Sequence, residues 1–176
     1  MGTPLPYKTT GSLPSFRLNC GSFTDGQALP SAQASARFGI PDGRDESPAL
    51  EWSGAPEGTK GYAVTVFDPD ARTGFWHWGV AGVPADATSL PAGAGSEDGK
   101  LLPHGAFQLR NDAGTCSYVG AAPPKGSGPH RYIFAIHALD TAEPDIGADA
   151  PASALGLMLD RHTLARASLT GIFERH

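Results

Sequence analysis

GYAVTVFDPD, residues 61–70, is a run of strand-forming residues that ends in an acidic turn. Tyr62, Val64 and Val66 alternate with Ala63, Thr65 and Phe67, and in an extended chain successive side chains point to opposite sides. Both sets are largely apolar, so this strand is expected to be covered on both faces. RYIFAIHAL at 131–139 reads the same way. Two doubly covered strands require something packed outside their sheet.

Working outward, SFRL at 15–18, ASARF at 34–38, ALEW at 49–52 and WHWGVAGV at 76–83 are further short β-prone runs between turn clusters. The 23 Gly and 16 Pro among 176 residues make the chain rich in turns without reaching the composition of disorder. One domain over 15–176 is expected, built as a sandwich or barrel, with an irregular arm at 1–14. The spacing of Leu155, Met158, Leu159 and His162 predicts one helix, capped by Asp149, with Pro151 in its first turn and an end near Arg166. ASLTGIF at 167–173 then forms a last strand.

Thirteen Lys and Arg against 18 Asp and Glu give a formal charge of -5, and no basic run is present to follow a nucleic-acid backbone. Nucleic acid is therefore not an expected partner. No stretch approaches the roughly 20 apolar residues of a membrane span, and MGTPLPYKTTGSLPSF lacks the apolar centre of a signal peptide. A cytoplasmic protein without a transmembrane segment is the expectation. Cys20 and Cys116 are too few and too far apart for a zinc motif or a disulfide framework, and both are expected as small, partly buried thiols.

Polar, ring-bearing and glycine residues crowd into DPDARTGFWHW at 68–78, NDAG at 111–114 and GAAPPKGSGPHRY at 120–132. Asp68 follows a covered strand, so its carboxylate stands at a sheet end where it can orient an imidazole, and Asp70 can do the same or cap the turn. Period two places Trp76 and Trp78 on one face and His77 on the other. His130 follows PPKGSG, where Gly126 and Gly128 allow the backbone to turn and aim N–H groups at an anion. Tyr132 shares the face of His130. A lone strand histidine is usually structural and DPD alone is usually a turn, so it is the conjunction that carries weight.

Together with SPALEWSGAPEGTKG at 47–61, VPADATSLPAGAG at 83–95 and YIFAIHALD at 132–140, these segments resemble the signature segments of the phosphatidylethanolamine-binding protein family, in its bacterial branch related to Raf kinase inhibitor protein. The resemblance runs from about Ser15 to Arg175. It implies a mainly β fold, a two-sheet antiparallel β-sandwich with peripheral helices, and an anion pocket for phosphate or phosphoryl head groups. Carried over by position, Asp68, His77, His130 and Tyr132 form that pocket, with Asp70, Pro123 and Gly126 as framework. Arg72 replaces a proline of the family's first motif, which relaxes a turn and brings a cation toward the pocket mouth. By the same resemblance, the longer C-terminal segment that overlies the pocket in the animal proteins is not expected here.

The favoured function is a binding protein in which imidazoles, a tyrosine hydroxyl and loop N–H groups hold phosphoryl oxygens and Phe75 walls the attached organic part. Its ligand would be a phosphorylated small molecule or a phospholipid head group. The resemblance adds inhibition of a kinase or protease partner, and a homodimer. The alternative is an acid–base lyase, isomerase or cyclase using the same Asp and His set. No cofactor and no metal are expected: the trio lacks common metal-ligand spacing, and no G-x-S-x-G elbow marks a hydrolase.

Overall fold

The computed structural model describes residues 2–8 and 13–176. Met1 and residues 9–12 of the expected arm lie outside the described residues. Among the described residues eight strands form two antiparallel sheets: β1 (Arg17–Cys20), β2 (Leu50–Ser53), β3 (Gly61–Asp68), β4 (Phe75–Pro84), β5 (Ser89–Leu90), β6 (Phe107–Gln108), β7 (His130–Leu139) and β8 (Thr163–Phe173). The smaller sheet has the order β1-β2-β5 and the larger β6-β4-β3-β7-β8. The mainly β, two-sheet antiparallel architecture is thus the one the sequence implies.

Alternation sorts the core. Tyr62, Val64 and Val66 of β3 meet Tyr132, Phe134 and Ile136 of β7 between the sheets, facing Leu18, Leu50 and Trp52 of the smaller sheet. Ala63 and Phe67 point the other way, into a second cluster with Trp76, Leu109 and Leu139. The covering that two doubly buried strands demand comes from α1 (Leu155–His162), through Leu155, Met158 and Leu159, and from Tyr7 of the arm. Gly79 makes the helix docking possible: a Cβ there would meet the side chains of Leu155 and Ala152 at about 3 Å.

Several sequence expectations change. The helix is shorter: a 3-10 turn at Ala152–Ala154 leads into α1, which stops at His162. From Thr163 the chain pairs with β7 along its whole length, and these long-range ladder bonds outweigh a helical continuation to Arg166. Asp149 does not cap it, since no side-chain cap bond is made at Pro151 or Ala154. ASARF is not a strand. Only Ala34 pairs, with Ala121, after which the Ser35 hydroxyl accepts the Phe38 N–H and Gly39, at φ 74°, turns the chain. Cys116 is exposed, whereas Cys20 is half-buried, and both are free thiols.

A further change is in β4. Val66 faces Trp78 while its neighbour Phe67 faces Trp76, so His77 is an extra residue and a β-bulge. Trp78 therefore enters the core between the sheets and Trp76 the outer cluster. The two indoles lie on opposite faces, not on one. A second bulge between Tyr62 and Val64 contains Gly82 at φ 71°.

Candidate functional site

Asp68 ends β3, and its position is fixed by the turn that follows. Its Oδ1 accepts the backbone N–H of Asp70 at 2.7 Å and that of Ala71 at 3.1 Å. This leaves Oδ2 for the first residue of the neighbouring strand, and His130 Nδ1 lies 2.7 Å away. A carboxylate only accepts, so Nδ1 carries a hydrogen toward it. Both side chains are buried, at 4% and 6% exposure.

His77 reaches the same place because of its bulge. Its Nδ1 lies 2.8 Å from the Val119 carbonyl, which fixes the hydrogen on Nδ1 and leaves Nε2 as an acceptor without a protein partner among the described residues. Burial pushes its pKa below the ordinary histidine value, outweighing the Val119 hydrogen bond and the negative charges of Asp68 and Asp112. His77 is thus held neutral near pH 7. The sequence reading of both imidazoles as donors is correspondingly narrowed: His77 presents a lone pair.

Asp68, His77 and His130 line one cavity of about 280 Å³, together with Phe38, Ala71, Phe75, Gly120, Ala122, Pro123 and Pro124. Phe75 packs against His77 with the rings tilted at 51° and 4.7 Å between centroids. Tyr132 does not line the cavity. It is 1% exposed and stands behind His77, edge to face at 5.1 Å, and burial with the charges of Asp68 and Asp70 makes its phenol very hard to ionise.

Gly126 and Gly128 adopt φ 73° and 82°, as a turn requires, yet they are not part of the wall. The Gly126 N–H donates to the Arg175 carbonyl and the Ser127 N–H to the Pro124 carbonyl, so neither is free for an anion. Asp70 faces away, in a bidentate pair with Arg131 whose hydrogen bonds hold its carboxyl below the usual range. Arg72 is exposed and is not among the lining residues.

Phe38 escaped the sequence reading because it sits in the run assigned to a strand. It is 46% exposed at the cavity edge, carried there by a loop that two contacts pin to the pocket wall. Ser35 N–H donates to the Ala121 carbonyl, and Asp45 Oδ1 accepts the Gly120 N–H. Its signal was an aromatic residue directly before Gly39, in a segment with Pro41 and Gly43. Ser127, which bonds His130 Nε2 at 3.1 Å, was quoted within PPKGSG but given no role.

Comparison with known proteins agrees with this architecture. The phosphatidylethanolamine-binding protein family model matches residues 20–174. The Escherichia coli protein YbhB is 44% identical over 161 residues, covering 90% of this chain and 99% of its own. The Escherichia coli protein YbcL is 43% identical over 161 residues, covering 90% and 87%. The crystal structure of YbcL, described as a member of the mammalian PEBP family, superposes with a TM-score of 0.88 at 41% identity, covering 92% of this chain and 99% of that one. A Chlamydia trachomatis homologue, CT736, gives a TM-score of 0.73 at 27% identity, with the same coverage. No helix among the described residues is long and apolar enough to cross a membrane.

Proposed function

The chain belongs to the phosphatidylethanolamine-binding protein family, and from that premise we propose that it binds the phosphoryl group of a small molecule or phospholipid head group in the cavity around Asp68, His77 and His130. The observation that carries this reading is the division of labour between the two histidines. His130 is tied through Nδ1 to the buried Asp68 carboxylate, which fixes the ring and offsets positive charge on it when an anion is bound. His77 is held neutral with an unpartnered Nε2, so it accepts a hydrogen from a protonated phosphoryl oxygen or from an ammonium on the head group. Phe38, Phe75, Pro123 and Pro124 offer apolar walls to the organic part.

Calorimetric titration with phenyl phosphate tests this. His130→Ala is expected to weaken binding at least tenfold, and Asp68→Asn to weaken it as well. A bound anion favours the imidazolium, so affinity falls as pH rises through the range in which histidine titrates. The phosphate ester's own second ionisation, near pH 6, opposes that trend. Phenyl sulfate, whose charge is constant, is therefore expected to bind more tightly at pH 6 than at pH 8. Binding of neither ester at either pH, or binding untouched by His130→Ala, removes the proposal.

A further inference from the structure

Ser127 plays no part in the anion reading, yet it completes a chain of side chains that begins on the cavity wall with Asp68 and His130. Its Oγ lies 3.1 Å from His130 Nε2, while on the far side of the same ring Nδ1 is 2.7 Å from Asp68 Oδ2. Hydroxyl, imidazole and carboxylate stand in the order that activates a serine, an arrangement recognised by geometry and not by sequence position. Asp68 and His130 are buried, whereas Ser127 is exposed where a substrate can approach.

Hydrogen accounting supports the same roles. The backbone N–H groups of Asp70 and Ala71 hold Asp68 Oδ1 and thereby orient Oδ2. With Nδ1–H directed at Oδ2, the neutral ring turns the Nε2 lone pair toward Ser127 Oγ. If Nε2 then takes the serine proton, both ring N–H groups already face an oxygen acceptor, so the imidazolium forms without rearrangement. The Pro124 carbonyl, 2.8 Å from the same Oγ, competes for the hydroxyl hydrogen and keeps the oxygen beside the ring. Next to His130 the mostly apolar cavity of about 280 Å³ has room for a short acyl chain.

We propose that Ser127, His130 and Asp68 form a triad that hydrolyses small, uncharged carboxylic esters. Ser127 Oγ attacks the carbonyl carbon, forming a new C–O bond as its proton passes to His130 Nε2. The ester C–O bond breaks and the alkoxide leaves as an alcohol with that proton. Water repeats the attack: one of its protons goes to Nε2, the acyl group departs as the carboxylic acid, and the Nε2 proton returns to Ser127. Asp68 is the positioning residue, holding the tautomer that leaves Nε2 free to accept. The activity goes beyond anion binding and does not depend on it.

The test is incubation of the folded protein with a fluorophosphonate probe, peptide mass spectrometry of the product, and release of nitrophenol from p-nitrophenyl acetate. An adduct on Ser127 is expected. Ser127→Ala, an exposed truncation, is expected to lose the adduct and to slow nitrophenol release at least tenfold with an unchanged melting midpoint. Asp68→Asn is expected to lower the limiting rate of probe incorporation at least tenfold while leaving the half-saturating concentration in place, a split that simple unfolding would not give. No adduct on Ser127 in the wild-type protein, or release unaffected by Ser127→Ala, overturns the triad. That result leaves the anion reading standing, because the calorimetric titration tests it separately.

Discussion

His130 and His137 lie seven residues apart on β7, both buried, and the strand's alternation sends them to opposite faces. His130 stands at the strand end, where the space between the sheets opens into the cavity, and its partner is the carboxylate of Asp68. His137 lies mid-strand on the outer face, directly opposite Arg166 of β8, whose Nε donates to its Nδ1 at 2.8 Å. Its Nε2 therefore carries the hydrogen and donates to Thr65 Oγ1, also at 2.8 Å. Burial and the Arg166 charge push the pKa of His137 well below the ordinary value. The same residue on the same strand thus donates to a carboxylate on a cavity wall in one place and is a neutral structural link in the other. The partner that each face supplies makes the difference.

The largest expected effect comes from breaking the carboxylate side of this contrast. Asp68→Ala removes the acceptor of His130 Nδ1 and of two backbone N–H groups, around a carboxylate that is itself buried. Loss of one partner from a buried pair typically costs about 3–5 kcal/mol. Urea unfolding at pH 7 should show a loss of that order, while Asp70→Ala, which breaks the more exposed pair with Arg131, should cost about 1 kcal/mol or less. Equal losses for the two variants would mean that the buried pair has no special weight.

The second expectation concerns acid. His77 and His137 both have lowered values in the folded state. Below the unfolded histidine value of about 6.5, the unfolded chain takes up protons that the folded chain refuses, so stability falls as pH falls. Each group contributes a slope of about 1.4 kcal/mol per pH unit until its own folded value is reached. Between pH 6 and pH 5, His137→Gln should remove about one such increment from the slope of unfolding free energy against pH. Identical slopes in variant and wild type would show that His137 is protonated in the folded protein after all.

The contrast also marks how far the sequence could be read. Alternation in residues 61–67 and 131–139 is local, so the doubly covered strands and the need for an outer layer were visible from the residues alone. The bulge at His77 was not, because an extra residue exists only relative to the partner strand, and Phe67 and Val66 define it from a different part of the chain. Thr163 to Arg166 continued a helical pattern, but pairing with β7 overrode it. In the site, Asp68, His77 and His130 were legible as a set through their motifs, and the structure gathers them on one cavity. The inward N–H groups expected at Gly126 were lost to a carbonyl of Arg175, a contact with no local signal. Arg166 opposite His137 likewise depends on strand register, which neither segment states by itself.

The smallest expected effect isolates the arm that closes the outer face. Tyr7 is 4% exposed; its ring lies edge-on to His137 at 4.9 Å between centroids and beneath the Arg166 guanidinium at 4.1 Å. Its hydroxyl, however, has no hydrogen-bond partner among the described residues. The Arg166 charge and the nearby Thr65 ease ionisation of the phenol, but burial outweighs both and raises the Tyr7 pKa. The ring and the hydroxyl should therefore separate by mutation. Tyr7→Phe keeps the contacts with His137 and Arg166 and deletes an unsatisfied buried polar atom, so it should leave stability unchanged or raise it by about 1 kcal/mol or less. Tyr7→Ala should instead cost roughly 3 kcal/mol, in line with large-to-small truncations of buried aromatics. A loss above about 1 kcal/mol in Tyr7→Phe would place a hydrogen-bond partner on that hydroxyl in solution. Arg166, His137 and Tyr7 would then form one connected polar network, and the outer face would resemble the cavity end of β7 more closely than its charges suggest.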